Sequence, residues 1–284
     1  MENEEFVTNE ANEIQEPSQE NQSETSSQKK HTFFVEGSLY TFLSVFGIVF
    51  LACLFVFQIL LTPVGVIGES MQPTINASVE SSLDDEHCDV VYIKKNEAYS
   101  NNDIVIVENT NYKYIPYKQH TDINGNVVSK QDVNFFIKRV IACPNQTLTF
   151  YLTDIQTSGF VLTYYYDISV CDKNGNAIEL DKSYLLEEMF FTSTNYHSQN
   201  DDFPYFKTLF SNLVNSSLPI SERKVEITLN ENEYFVMGDN RNKSTDSRYF
   251  GAVHYDDISG ESVIHVPYGK TIWQAVWLKL KTLF

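Results

Sequence analysis

Ser70, in Gly68-Glu69-Ser70-Met71-Gln72-Pro73-Thr74, and Lys138, in Phe135-Phe136-Ile137-Lys138-Arg139-Val140, are the residues of this chain whose types and settings can do chemistry. A serine hydroxyl is a weak nucleophile until a base takes its proton, and an amine can be that base only while neutral. Lysine ordinarily titrates near about 10.4, so it must be desolvated to serve near neutrality. A strand through this stretch would do that: Phe136, Lys138 and Val140 fall on one face, and Ile137, Arg139 and Ile141 on the other. Lys138 would then sit between hydrophobes, with Arg139 turned away to pair elsewhere.

Ser70 follows closely on a segment that could cross a bilayer. No charged residue occurs from Gly37 through Gly68, and the densest apolar part, Leu39 to Leu61, reaches the roughly 20 residues needed to span about 30 Å of hydrocarbon. The pattern predicts a transmembrane helix over 37–62. A cleavable secretory signal would have a shorter apolar region, about 7–15 residues, close to the N-terminus; here a polar, Glu-, Asn-, Gln- and Ser-rich stretch, 1–36, comes first and reads as a disordered acidic tail. A buried core helix is opposed by apolar character on every side of the segment. Lys29, Lys30 and His31 before the span predict a cytoplasmic N-terminus and an extracytoplasmic remainder. A nucleophile tethered there suits substrates that are themselves in the membrane.

The formal net charge of −18 opposes a nucleic-acid partner, which needs clustered Lys and Arg. Four cysteines make no disulfide framework: Cys53 lies in the span, and Cys88, Cys143 and Cys171 leave an odd number beyond it. No metal-ligand spacing occurs, and no cofactor is expected. Cys143 as a reactive thiol would need a partner histidine motif that is not nearby. His87, His120, His197, His254 and His265 stand singly in polar or strand contexts, and the Asn-x-Ser/Thr sequons, such as Asn76-Ala77-Ser78, are what chance supplies in an Asn-rich chain.

Beyond the span the chain reads as mainly β. Short runs rich in β-branched and aromatic residues, 90–94, 104–107, 135–141, 147–152, 160–166, 224–229 and 234–237, predict strands. Asn124-Gly125 and Asn174-Gly175 predict hairpin turns. The expected layout is a β domain over 63–153 and 223–270, interrupted by an aromatic, Asn-rich subdomain over 154–222. The segment 271–284 follows with a helical stripe of Trp273, Val276, Trp277, Leu280 and Phe284, suited to packing on the domain or to lying on a membrane surface. One further stretch, Gly238 to Val253, crowds small, acidic and basic residues into a loop after an apolar strand, which is costly unless the charges pair.

Together these segments resemble the bacterial type I signal peptidases, membrane-anchored Ser-Lys endopeptidases that remove signal peptides from exported preproteins. Ser70-Met71-Gln72-Pro73-Thr74 is similar to the family's nucleophile box, Asn102-Asp103-Ile104-Val105 to its Gly-Asp-Ile-Val strand, and Phe136-Ile137-Lys138-Arg139-Val140-Ile141 to its lysine box. Gly238-Asp239-Asn240-Arg241, followed by Ser244 and by Asp246-Ser247-Arg248, is similar to its long final box. The resemblance implies a signal-peptidase-like β fold, with preproteins and membrane lipid as partners. It also implies roles: Ser70 as nucleophile, Lys138 as general base and later acid, and Ser244 as the hydroxyl that aligns the amine. Met71 and Pro73 would shape the wall near the nucleophile, and Asp239–Arg139 and Asp246–Arg248 would be supporting pairs. Departures from the family pattern are Gly68, where some members have a serine that helps the oxyanion hole, Asn102 in place of glycine, and Ala142-Cys143-Pro144-Asn145-Gln146 in place of Gly-Leu-Pro-Gly-Asp. Two alternatives share parts of the pattern: a self-cleaving repressor-type Ser-Lys peptidase, opposed by the span and the acidity, and a catalytically silent membrane-anchored binding protein.

Overall fold

A computed structural model of the chain describes residues 38–55, 60–76, 88–109, 120–121, 127–128, 135–198 and 204–281. The acidic tail over 1–36, the Lys29-Lys30-His31 flank, the Asn124-Gly125 turn and Phe284 lie outside the described residues. The first helix, α1 (Ser38–Phe55), is 18 residues long and, among the described residues, is the one long and apolar enough to cross a membrane. Its large side chains, from Leu39 to Phe55, stand exposed, as a span presented to lipid requires. Thr62 already belongs to a strand, so the helix ends short of the expected residue 62.

Leu60–Phe284 forms a separate compact unit. Its strands in chain order are β1 (Thr62–Val66), β2 (Asp89–Lys94), β3 (Ile104–Glu108), β4 (His120–Thr121), β5 (Val127–Val128), β6 (Phe135–Ala142), β7 (Thr147–Ser158), β8 (Val161–Cys171), β9 (Ala177–Ile178), β10 (Met189–Thr192), β11 (Lys224–Thr228), β12 (Glu233–Met237), β13 (Val253–His254) and β14 (Ile258–Val266). The helices are α2 (Ser193–Ser198), α3 (Pro204–Val214), α4 (Ser247–Phe250) and α5 (Ile272–Lys281). One antiparallel sheet has the order β1-β2-β14-β3-β6-β12-β13; a second has β10-β8-β7-β11, with β9 on β8. β4 pairs with β5 alone. The second sheet starts at Thr147 and ends at Thr228, so the expected junction at 153/154 falls inside β7. The Asn174-Gly175 turn joins β8 to β9, with Gly175 at φ 84°.

Period-two alternation distributes the buried residues. From β12, Tyr234 and Val236 join Phe136, Val140, Val105 and Val107 in one cluster, while Phe235 and Met237 join the cluster beneath the second sheet. That second cluster is mostly aromatic. α3 enters it through Phe206, Leu209, Phe210 and Leu213, spaced for one helical face, behind Pro204 at the helix start. Phe210 lies 4.9 Å from Phe191 and 5.6 Å from Phe150 between ring centroids; burying each such ring contributes about 1.5–3 kcal/mol. α5 buries Ala275 and leaves Trp273, Trp277 and Leu280 exposed.

Candidate active site

Two segments meet at Ser70 and Lys138. β1 leads into Ile67 and Gly68, and a turn over 70–74 follows, closed by Gln72 N–H to Glu69 O (3.1 Å) and Ile75 N–H to Met71 O (2.9 Å). Gly68 has φ 94° with open space where a Cβ would stand, so conformation and not room is what calls for glycine there. Met71 is buried with Ile137, Ile106 and Val66, which anchors the turn; Pro73, after a cis bond from Gln72, is half-buried in it. Beyond the turn, buried Asn76 donates to Val66 O and Gly68 O, while Asp89 accepts the Asn76 N–H at 2.7 Å.

Lys138 comes from β6, paired on one side with β3 and on the other with β12. It is 3% exposed, and its Nζ lies 3.1 Å from Ser70 Oγ and 2.9 Å from Ile137 O. Burial pulls its pKa down to about 8; Asp246 and Asp239 pull the other way, and Arg248 adds to the depression. A cavity of about 280 Å³ opens over the pair, its apolar wall including Val64, Val66, Ile106 and Phe136.

The loop from Gly238 to Arg248 closes the site from the other side. Asp239 takes a two-pronged contact from Arg139, Nε to Oδ1 at 2.7 Å and Nη2 to Oδ2 at 2.6 Å, and accepts Thr74 Oγ1 at 2.5 Å. One carboxylate thus ties the residue after the lysine to the turn after the serine. Asp246 and Arg248 form a second two-pronged pair at 2.8 and 2.7 Å, both fully buried, and Asp246 also accepts Gly238 N–H. The Arg248 guanidinium holds the Asp246 carboxyl below the ordinary range despite burial. Asn240 N–H donates to Ser70 O, locking loop to turn.

Ser244 is buried, and its Oγ has no hydrogen-bond partner among the described residues, so the expected bond to the Lys138 amine is not formed. Its side chain packs where Gly238 makes room: a Cβ on Gly238 would fall 2.5 Å from Ser244 Cβ and from Ser70 O. Cys143 donates to Tyr99 O at 3.4 Å, and burial pushes its thiol up to about 12, the state of an inert buried cysteine. All four cysteines are free.

A family model for signal peptidases, peptidase S26, matches residues 39–267, from the apolar helix to the end of β14. The chain belongs to that family. The signal peptidase I of Buchnera aphidicola subsp. Acyrthosiphon pisum (strain APS) is 24% identical over 265 residues, covering 83% of this chain and 76% of that protein. A crystal structure of a signal peptidase I from Enterococcus faecalis V583 is 21% identical, covering 60% of this chain and 97% of that one at a TM-score of 0.24; so loose a superposition adds nothing to the family match. As a member of the signal peptidase family, the protein is a membrane serine endopeptidase that cleaves signal peptides from exported preproteins.

The departures from the family pattern now have a physical account. Asn102 and Asn145 stand where the family has glycine, at φ 75° and 63°, and asparagine is the side chain best tolerated in that left-handed region. Gln146 accepts Cys143 N–H at 2.8 Å across the same turn. Three features of the site escaped sequence reasoning. Thr74 and Gly238 sat inside recognised boxes without a role. His265 stands singly in the sequence, yet its Nε2 lies 2.7 Å from Asp89 Oδ2, in the network that fixes Asn76; Asp89 lies 176 positions away in sequence, and no local pattern links the two.

Proposed function

We propose that this signal peptidase cuts with a Ser70–Lys138 dyad. The observation that carries the reading is the buried amine 3.1 Å from the serine hydroxyl, with its pKa drawn toward neutrality. The neutral amine accepts the Ser70 proton as Oγ attacks the scissile carbonyl; the resulting ammonium donates a proton to the leaving amine, and water then releases the acyl group by the reverse relay. Asp239–Arg139 and Asp246–Arg248 support the loop and take no part in proton transfer. By its family role Ser244 aligns the Lys138 amine during turnover, although in this structure its hydroxyl makes no bond among the described residues. With Gly68 lacking a side-chain donor, backbone N–H groups of the Ser70 turn stabilise the oxyanion.

Among the described residues β1 is paired on one side only, so the preprotein enters extended along that edge and places small side chains against the apolar wall formed by Val66, Ile106 and Phe136. The N-terminus is cytoplasmic and the domain after Thr62 extracytoplasmic, as the basic flank favours. Trp273, Trp277 and Leu280 meet lipid at the membrane surface, and the chain's acidity keeps nucleic acid away. The layout of tail, span, two-part β domain, insertion and terminal helix is part of the same reading. Incubation of detergent-solubilised protein with a preprotein tests it: Ser70→Ala, Lys138→Ala and Lys138→Arg should each abolish cleavage, the last because a guanidinium stays protonated. Substantial activity in Lys138→Arg would remove the base assignment.

A further inference from the structure

We propose that the segment Tyr184–Phe190, which belongs to the insertion and runs into β10, clamps the loop that carries Ser244, with Tyr184 and Asn242 as positioning residues. The proposal rests on the Ser70–Lys138 reading and gives the insertion a part in the reaction. On the side of the catalytic sheet the loop is tied through Asp239 and Asn240 at its start, through the solvent-open Lys243–Glu69 pair, and beyond Ser244 by Val236 N–H to Ser247 Oγ at 3.0 Å. Arg241 and Asn242, in the turn between, are held from the other side. Asn242 Nδ2 donates to Glu188 O at 2.9 Å, and Asn242 Oδ1 accepts Phe190 N–H at 3.1 Å, so one side chain grips the backbone of the insertion twice.

Arg241 strengthens the case. It is 3% exposed, and no carboxylate forms an ion pair with it among the described residues. Its guanidinium instead donates to Tyr184 Oη at 2.6 Å, to Met189 Sδ at 3.2 Å and to Gly238 O at 3.1 Å. A buried cation without a counter-ion is expensive unless its donors are satisfied, and two of these three acceptors come from the insertion. The Tyr184 ring also lies 4.1 Å from the Arg139 guanidinium, the group that holds Asp239, so one tyrosine touches both cations that border the loop. Ser244 follows directly. With no hydrogen bond of its own, its Oγ is placed by the backbone on either side, and the clamp fixes one of those sides.

The consequence reaches Lys138. The charged groups facing its amine are Asp239, Asp246 and Arg248 from the loop, with Glu69 and Lys243, themselves paired at 3.0 Å, at the cavity rim. Loosening the loop admits water to the amine, relieves its desolvation and raises its pKa. The test uses the full-length protein in detergent, a soluble signal-peptide substrate and a pH–rate profile for each variant. Asn242→Ala should lower kcat about 10- to 100-fold with KM within about 2-fold, and should move the rising limb to higher pH. Tyr184→Phe, which keeps the ring under Arg139 and removes only the hydroxyl, should show the same signs at smaller size, and it serves should Asn242→Ala fold poorly. Phe206→Leu, which loosens the insertion core without touching the clamp, should leave the limb where it is. The clamp is overturned if Asn242→Ala and Tyr184→Phe keep the wild-type kcat and limb, or if Phe206→Leu moves the limb as far as they do. Ser70→Ala in the same assay separates the two ideas: residual cleavage there removes the dyad, whereas an inactive Ser70→Ala beside unaffected clamp variants removes the clamp alone.

Discussion

The two sheets of the catalytic unit are stabilised in different ways. The inserted sheet is closed by rings: Phe150, Tyr166, Phe191, Phe206 and Phe210 pack with centroids 4.5–6.0 Å apart, and contacts of this kind tolerate small shifts. The catalytic sheet and the loop after β12 bury Lys138, Arg139, Asp239, Asp246 and Arg248 around one site. Asp239 meets Arg139, and Asp246 meets Arg248, within 2.8 Å, whereas Lys138 has no carboxylate bonded to it among the described residues. Arg139 and Arg248 are kept charged by their carboxylates, while Lys138 has a hydroxyl and a carbonyl for partners and is free to lose its proton. Paired charge supports the site; Arg241, also without a carboxylate partner, is a guanidinium that stays protonated and is held by neutral acceptors, whereas the Lys138 amine can give up its proton and do the chemistry.

The sharpest way to break this contrast is to remove one member of a buried pair and one ring. Asp246→Ala leaves Arg248 buried and uncompensated and should cost about 3–5 kcal/mol of stability together with all activity. Phe210→Ala should cost a similar amount, about 3–5 kcal/mol, through its cavity, yet molecules that remain folded should retain most of their specific activity. Urea unfolding beside active-site titration measures both quantities, and equal specific activity in the two variants would dissolve the distinction. Gly238→Ala comes next. The added methyl collides with Ser70 O and the Ser244 Cβ, both 2.5 Å away, so kcat should fall by about 100-fold, with a smaller change in melting temperature. A smaller effect belongs to the turns. Asn145→Gly should be nearly neutral and Asn145→Ala should cost about 1–2 kcal/mol, because the backbone there is left-handed; equal melting temperatures for the two would remove that account. The smallest effect belongs to exposed charge: Lys243→Ala breaks the Glu69 pair, which is open to solvent, and should change stability by about 0–1 kcal/mol.

Much of this division could be read from the chain. The alternation in 135–141 gave both the strand and the buried face of Lys138, and the crowding of charge after Met237 announced ion pairs. What stayed hidden was long-range or weakly patterned. β14 contains Gly260, Glu261 and Ser262 and carries a register shift at Ser262/Ile264, so its alternation is broken where a strand signal was needed. α3 did carry a signal, the spacing of Phe206, Leu209, Phe210 and Leu213 behind a proline, but it was submerged in an aromatic, Asn-rich stretch. The contacts of Thr74 with Asp239, His265 with Asp89 and Tyr184 with Arg241 join residues that only the fold brings together.

The account turns on an amine whose pKa is drawn down toward physiological pH because it is buried and has no carboxylate bonded to it. The pH dependence of kcat/KM on a soluble signal-peptide substrate measures this directly, since it reports the groups of the free enzyme. A base that works only when deprotonated gives a rate that rises tenfold per pH unit below its pKa and levels off above it. The limb should therefore bend near 8, where burial places Lys138. A rate still climbing in proportion through pH 9 toward the ordinary lysine value of about 10.4 would contradict the account, because Lys138 would then be a solvated lysine and Ser70 would need another base.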